Sequence, residues 1–257
     1  IKIGQNVFIL GNYFFNLFLI IGEKRSALFE VGVSAIVDRV INQLELLDIH
    51  PDFIISSHPH SDHSTGLPGL AKRYPKARIV VGAGAQEFIE HPKAGPLLIK
   101  EDMFISKNLA RLKIKPGRPP LEKIPDLGGS LVITGKQSIK LCRTTLDLIK
   151  VEGHAPGNLI GTLSEKKICF CSDSLGFHFP GRGYIPLFFT RADSYLSTLN
   201  IIKKFSPSIV CPAQQGPLLG KDAAAGIQKS LDITLNTIEK IKQTLLSDET
   251  LAMDMFK

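Results

Sequence analysis

The chain alternates short apolar runs with helical stretches twice over, and this doubled order limits the folds open to it more than any other feature. In the first round the runs cover residues 7–10, 13–21 and 27–29, separated by Gly11-Asn12, Gly22-Glu23 and Gly32. Runs of that length bounded by turn formers predict an antiparallel meander. Apolar positions at 36, 37, 40, 41, 44 and 47 then predict a helix over residues 34–47. A strand over 53–57, a helix over 67–74, a strand over 78–81 and a helix over 83–91 complete the round. The second round has strands over 131–134, 139–142, 148–151, 159–163 and 167–171, a helix over 194–205, a strand over 209–211 and a long helix over about 222–246. Two sheets face to face with helices on their outer faces satisfy both rounds, an α/β architecture in four layers within a single domain over 1–257. No short period recurs, which argues against solenoids and propellers.

The 257 residues are 44% hydrophobic and 21% charged, enough to bury a core without staples and too apolar for a disordered or fibrous chain. Cys142, Cys169, Cys171 and Cys211 form no CxxC pair and are too few for a disulfide framework, so reduced thiols and a cytoplasmic location are expected. The longest apolar run, 14–21, is interrupted by Asn16 and falls short of the ~20 residues of a membrane span. The chain begins with Ile rather than Met, which leaves a removed signal peptide open.

Chemistry concentrates in residues 58–63, His-Pro-His-Ser-Asp-His, just past a predicted buried strand. In an extended segment i and i+2 point the same way, so His58 and His60 can converge on one ion. After the turn, Asp62 and His63 can serve a second position nearby. Neutral imidazole is a preferred ligand of zinc and iron, and a carboxylate offsets the charge of a dication. Three of the chain's seven histidines fall within these six residues. That density points to metal rather than to a solvated turn.

The motif resembles the HxHxDH signature of the metallo-β-lactamase superfamily, and the resemblance extends along nearly the whole chain. Residues 151–158, Val-Glu-Gly-His-Ala-Pro-Gly-Asn, resemble the second histidine motif. Residues 168–174, Ile-Cys-Phe-Cys-Ser-Asp-Ser, resemble the strand that leads to a metal-bridging aspartate. Glu30-Val31-Gly32 stands where members often support the site with Asp-x-Gly. The resemblance implies an αβ/βα sandwich, with His58, His60 and His154 on one metal and Asp62, His63 and the bridging Asp173 on the other. It also implies one or two Zn2+ ions, with Fe or Mn as alternatives. The activity implied is hydrolysis of a small ester, thioester or lactone, in the glyoxalase II/lactonase-like branch, by hydroxide generated at the metal. Asp62 would orient that hydroxide and so be the catalytic residue.

One position departs from the pattern. Where members usually carry a last histidine after a C-terminal strand, this chain reads Pro212-Ala213-Gln214-Gln215-Gly216, with Gln214 the better equivalent and Gln215 the other choice. An amide oxygen is a weaker ligand than imidazole, so the second metal position should be weak, altered or vacant. His178 is a candidate to compensate or to touch substrate, although an exposed loop histidine is the simpler reading. Cys211 is a lesser candidate, and Cys169 and Cys171 are expected in the core. His50 and His91 read as surface residues. After Asp173, Phe177, Phe179, Tyr184, Phe188 and Phe189 could line a substrate pocket, with Arg182 as an anion anchor.

The net charge of +7 invites a nucleic-acid reading, yet residues 93–126 hold eight basic and four acidic residues with five prolines. That segment reads as a basic, Pro-rich insert, either a solvated excursion or a lid over a small-molecule substrate that an anionic tail would suit. The nuclease branch usually carries a large extra domain for which 257 residues leave little room. A flavodiiron-like redox protein would call for a carboxylate in place of His60. A degenerate binding or sensing member stays in play because of Gln214. The oligomeric state is left open.

Overall fold

A computed structural model describes residues 1–179 and 183–247. The first sheet has seven strands in chain order: β1 (Lys2–Gly4), β2 (Val7–Gly11), β3 (Asn16–Ile21), β4 (Ser26–Phe29), β5 (Phe53–Ile55), β6 (Arg78–Gly82) and β7 (Leu131–Ile133). Its first four strands pair antiparallel, and β4 to β7 run parallel. The helices that make these parallel crossovers are α1 (Val37–Leu46), α2 (Ser61–Ser64), α3 (Leu67–Arg73), α4 (Ala85–Glu90) and α5 (Ala94–Arg111). The second sheet holds β8 (Lys136–Leu141), β9 (Thr144–Lys150), β10 (Leu159–Leu163), β11 (Ile168–Phe170), β14 (Ile209–Cys211) and β15 (Leu218–Leu219) in the order β15-β14-β11-β10-β9-β8. A separate hairpin, β12 (Phe177–Phe179) and β13 (Gly183–Ile185), precedes α6 (Ala192–Phe205), and α7 (Lys221–Ser247) follows β15. No helix among the described residues is long and apolar enough to cross a membrane.

The layers follow from side-chain alternation. On β3, Phe18 and Ile20 point between the sheets, where they meet Phe29, Ile55, Leu148 and Phe170, while Leu17 and Leu19 point outward to Val37, Val40 and Leu44 of α1. The same split on β11 sends Ile168 and Phe170 inward and Cys169 outward, toward Leu199 and Ile202 of α6 and Ile227 of α7. Because both faces of these strands are covered, they read as unbroken apolar runs rather than as alternating ones. The result is the four-layer αβ/βα sandwich.

The basic, Pro-rich segment 93–126 is about half helical. Its first half is the 18-residue helix α5, anchored by Leu98, Asp102, Ser106 and Leu109 at helical spacing. Pro96 lies in the first turn, where the missing N–H costs nothing. The basic side chains of the segment, including Lys100, Lys107, Arg111, Lys113 and Lys115, are exposed, and Arg118 pairs with Asp38.

Asp102 secures α5 to the rest of the domain. It is fully buried, and its Oδ1 accepts from the Ser34 backbone N–H (3.1 Å) and Thr65 Oγ1 (2.7 Å). Its Oδ2 accepts from Ser34 Oγ (2.6 Å) and the Leu121 backbone N–H (2.9 Å). One side chain therefore joins α5, the loop after β4, the end of the histidine-rich turn and the loop that follows α5.

Candidate metal centre

Four strand ends converge at one edge of the sandwich. The turn with His58 to His63 follows β5, His154 follows β9, Asp173 follows β11 and Gln214 follows β14. Strands β9, β11 and β14 all run in the same direction, so their C-terminal ends share that edge. Leu159 N–H donates to the Ser57 carbonyl (2.7 Å) and Asn16 N–H to the Ala213 carbonyl (2.7 Å), which fixes the two sheets against each other there. Gly153 has φ +102°, and a Cβ on it would stand 2.2 Å from the Tyr195 backbone nitrogen. Glycine is thus required for the chain to turn and present His154.

The structure brings three ring nitrogens together. His58 Nε2 lies 3.1 Å from His60 Nδ1 and 3.1 Å from His154 Nε2. Tetrahedral zinc with ~2.0–2.1 Å bonds to nitrogen requires ligand atoms about 3.3 Å apart, close to those separations. Beside this triad, His63 Nε2 sits 3.2 Å from Asp62 Oδ2 and 3.4 Å from Asp173 Oδ2. Asp173 Oδ2 also lies 3.7 Å from His154 Nε2 and 4.0 Å from His58 Nε2, between the two groups. His63 Nε2 and Asp173 Oδ1 are buried with no hydrogen-bond partner, a costly arrangement that a dication would relieve. The residues present therefore fit a metal, at the triad first and at His63 and Asp173 second.

The surrounding bonds fix which nitrogen of each ring faces inward. His154 Nδ1 donates to the Leu187 carbonyl (2.6 Å), His58 Nδ1 meets Ser57 Oγ (3.0 Å), and His63 Nδ1 meets Glu30 Oε2 (3.0 Å). Each bond leaves Nε2 as the inward atom, the usual way a protein orients a ligating imidazole. Glu30, expected to support the site, is buried and takes φ +79°, a left-handed backbone rare for glutamate.

Electrostatics separates the imidazoles. Burial holds His58 and His154 below the ordinary histidine value, aided at His58 by repulsion from its neighbouring rings. His60 is lowered to about 4, again mainly by burial. All three are neutral at pH 7 with a lone pair to donate. Burial would lower His63 as well, but the carboxylates of Asp62, Glu30 and Asp173 outweigh it and raise His63 well above the usual range. Asp173 is held well below the usual carboxylate range, because attraction to His63 exceeds the penalty of burial.

Gln214 donates through Nε2 to Asp62 Oδ2 (3.3 Å), so it touches the cluster through a carboxylate. Gln215 instead uses its backbone N–H to bond the Tyr13 carbonyl. His178 is exposed on β12 and stacks near Tyr184, with ring centroids 4.9 Å apart, outside the cluster. Both residues line a small cavity of about 90 Å³ with Gln214. Arg182 lies outside the described residues. Cys211 is buried between the sheets, where burial pushes its thiol up, and Cys169 and Cys171 pack in the core beneath α6. His50 and His91 are exposed. Phe189 stands over the triad, with centroids 5.8 Å from His60 and 5.5 Å from His154.

A groove opens at this edge, lined by Phe189, which the sequence offered as a pocket residue, and by residues of the 93–126 segment, for which it offered a lid over substrate as one reading. It has a volume of about 500 Å³, and His60, Asp62, Phe88, Phe189 and the α5 residues Leu97, Leu98, Phe104 and Ile105 line it. Leu97, Leu98, Phe104 and Ile105 did not stand out in the sequence, because their apolar stripe is hidden within a segment rich in lysine and proline.

This architecture and these residues agree with what known proteins show. The model of the metallo-beta-lactamase superfamily matches residues 11–214, and the chain belongs to that superfamily. Among solved structures, an archaeal metallo-beta-lactamase superfamily protein from Sulfolobus tokodaii is 23% identical, with TM-score 0.68 over 90% of this chain and 86% of that one. A stereoselective inverting sec-alkylsulfatase from Pseudomonas sp. is 15% identical, with TM-score 0.69 over 93% of this chain and only 43% of its own length. A metallo-beta-lactamase from Cronobacter sakazakii, determined as a motif mutant, is 17% identical, with TM-score 0.64 over 96% of this chain and 98% of that one. At such identities the likeness is one of fold. No curated protein matches the chain by sequence.

Proposed function

We propose that the protein is a metal-dependent hydrolase of a small carboxylic ester, thioester or lactone, of the glyoxalase II/lactonase-like kind, working with zinc on a small-molecule substrate in the cytoplasm. The observation that carries this reading is the convergence of three imidazoles beside an open groove, with His58 Nε2 3.1 Å from both His60 Nδ1 and His154 Nε2. A dication bound there supplies Lewis acidity and lowers the pKa of water from ~15.7 towards ~7. The three neutral imidazoles hold it without competing protons.

Asp62 is the residue placed to handle protons. Its carboxylate opens on the groove and is steadied by His63 and by the amide of Gln214. Hydrolysis adds water to the acyl carbon and breaks its bond to the leaving oxygen or sulfur. One proton of that water passes to Asp62 and then to the leaving group, so an acid and an alcohol or thiol are released. Phe88, Phe189 and the apolar face of α5 form an apolar wall on one side of the reacting centre.

Hydrolysis of a panel of p-nitrophenyl esters, acyl thioesters and lactones tests this reading. Activity that chelation removes and zinc restores supports it. A zinc-loaded protein inert to the whole panel refutes it. Gln214 favours a second reading, a degenerate member that binds without turnover, because its amide donates to Asp62 in place of a ligating imidazole. Gln214→His separates the two: gain of activity marks degeneration, whereas loss marks a glutamine suited to its task.

A further inference from the structure

We infer that the substrate carries a linear, uncharged apolar acyl chain, which lies along α5 with its reacting carbonyl at the histidine triad. The inference rests on the hydrolase reading and adds the chemical class of the substrate to it. Three observations point the same way.

The groove is continuous with the site, because His60 and Asp62 form its inner end. It extends outward into a second hollow of about 660 Å³ that shares Phe88, Ala94 and Leu97 with the first. The two hollows are contiguous through these three residues, and both fall in the size range of small-molecule sites.

The walls are apolar and open to solvent. Leu97 is 52% exposed, Phe104 66% and Phe189 68%, three large apolar side chains around one site. Clustering of this kind beside a reactive centre is a mark of a binding surface, unlike single exposed leucines elsewhere.

The charges near the centre disfavour an anion. Among the described residues, no lysine or arginine lines the inner groove and Glu101 lies in its wall without an ion pair. A carboxylate or phosphate on the chain beside Glu101 would meet no lysine or arginine among the described residues that line the inner groove. The basic residues of the segment point to solvent, and the first to meet a ligand is Lys93, in the wall of the second hollow.

The test uses the zinc-loaded chain with p-nitrophenyl esters from acetate to hexanoate, and in parallel the alkyl hydroxamates of the same lengths as ligands followed by calorimetry. Burial of each methylene raises kcat/KM and hydroxamate affinity by about twofold to fourfold, so hexanoate should exceed acetate by at least about 15-fold. The double variant Leu97→Ser/Phe104→Ser, at exposed positions that do not endanger folding, should cut that ratio by about tenfold. Leu235→Ser, on an exposed position of α7 away from the groove, should leave it unchanged.

Ester hydrolysis that is flat in chain length, with flat hydroxamate affinity, overturns the acyl-chain inference and leaves the hydrolase reading standing. Hydroxamate affinity that climbs with chain length while no ester is hydrolysed overturns the hydrolase reading and keeps the groove. Should the apolar wall instead be covered by a second copy of the chain, the double variant would turn a dimer into a monomer without altering the ratio, which also overturns the inference.

Discussion

Replacing Asp102 with asparagine isolates the contribution of one buried carboxylate, since the side chain keeps its shape. Each oxygen of Asp102 accepts from one backbone N–H and one hydroxyl: Ser34 N–H and Thr65 Oγ1 on Oδ1, Leu121 N–H and Ser34 Oγ on Oδ2. A hydroxyl can rotate and accept from the new NH2 group, and Thr65 already has the Ser61 carbonyl as another acceptor at 2.6 Å. A backbone N–H cannot reverse. Whichever way the amide is turned, its NH2 faces either Ser34 N–H or Leu121 N–H, and one buried donor is left unsatisfied. That costs about 1–3 kcal/mol, and losing the charge weakens the bonds that remain by roughly 1 kcal/mol more. Asp102→Asn should therefore destabilise the domain by about 3 kcal/mol, a sizeable part of the ~5–15 kcal/mol typical of a domain. Urea denaturation followed by circular dichroism reads this as a lower midpoint with an unchanged slope. Limited proteolysis should cut first in the loop after α5, between residues 112 and 130. A loss below about 1 kcal/mol would refute the reasoning, because it would mean that water or a rearranged backbone satisfies the stranded donor.

Two further outcomes are expected. Glu30→Gln removes the carboxylate that orients His63 through Nδ1, and should weaken metal at the His63 and Asp173 position by about tenfold to 100-fold, while affinity at the triad changes little; competition with a coloured chelator measures both. The buried thiols make stability depend on alkaline pH: Cys169 is pushed up to about 12 by burial, and Cys171 and Cys211 are also raised well above the ordinary value. Above ~8.5 the unfolded thiol ionises and the folded one does not, so stability present below that pH is lost as pH rises. Each thiol adds about 1.4 kcal/mol per pH unit to the decline, and Cys169→Ala should have a slope shallower by that amount between pH 9 and 10.5. Equal slopes would show that the thiol ionises within the fold.

The layered fold was legible because strands covered on both faces appear as unbroken apolar runs, and β3, β4 and β11 are of that kind. The histidines of 58–63 and His154 stood out by density and by the glycine that must precede His154. Two features were not legible for a shared reason. α5 presents its buried face as Leu98, Asp102, Ser106 and Leu109, half of them polar, so hydrophobic periodicity is blurred. Asp102 itself looks like a surface residue, since its four partners come from segments up to 68 positions away in sequence. The α5 wall of the groove was hidden for the same reason, whereas Phe189 was legible as a pocket residue. The pairing of β12 with β13 was missed because Phe177–Phe179 and Gly183–Ile185 lie in a run mixing glycine with aromatics, without the unbroken apolar pattern of β5, β11 or β14.

The central claim is that His58, His60 and His154 form a metal centre while Gln214 leaves the neighbouring position short of a ligand. Metal analysis of protein purified without added zinc, run alongside His154→Ala and Gln214→His, tests it most directly. About one tightly held equivalent is expected in the unaltered chain, near none in His154→Ala and a second equivalent in Gln214→His. Metal retained in full by His154→Ala, or no metal in the unaltered chain even after zinc is supplied, would contradict it.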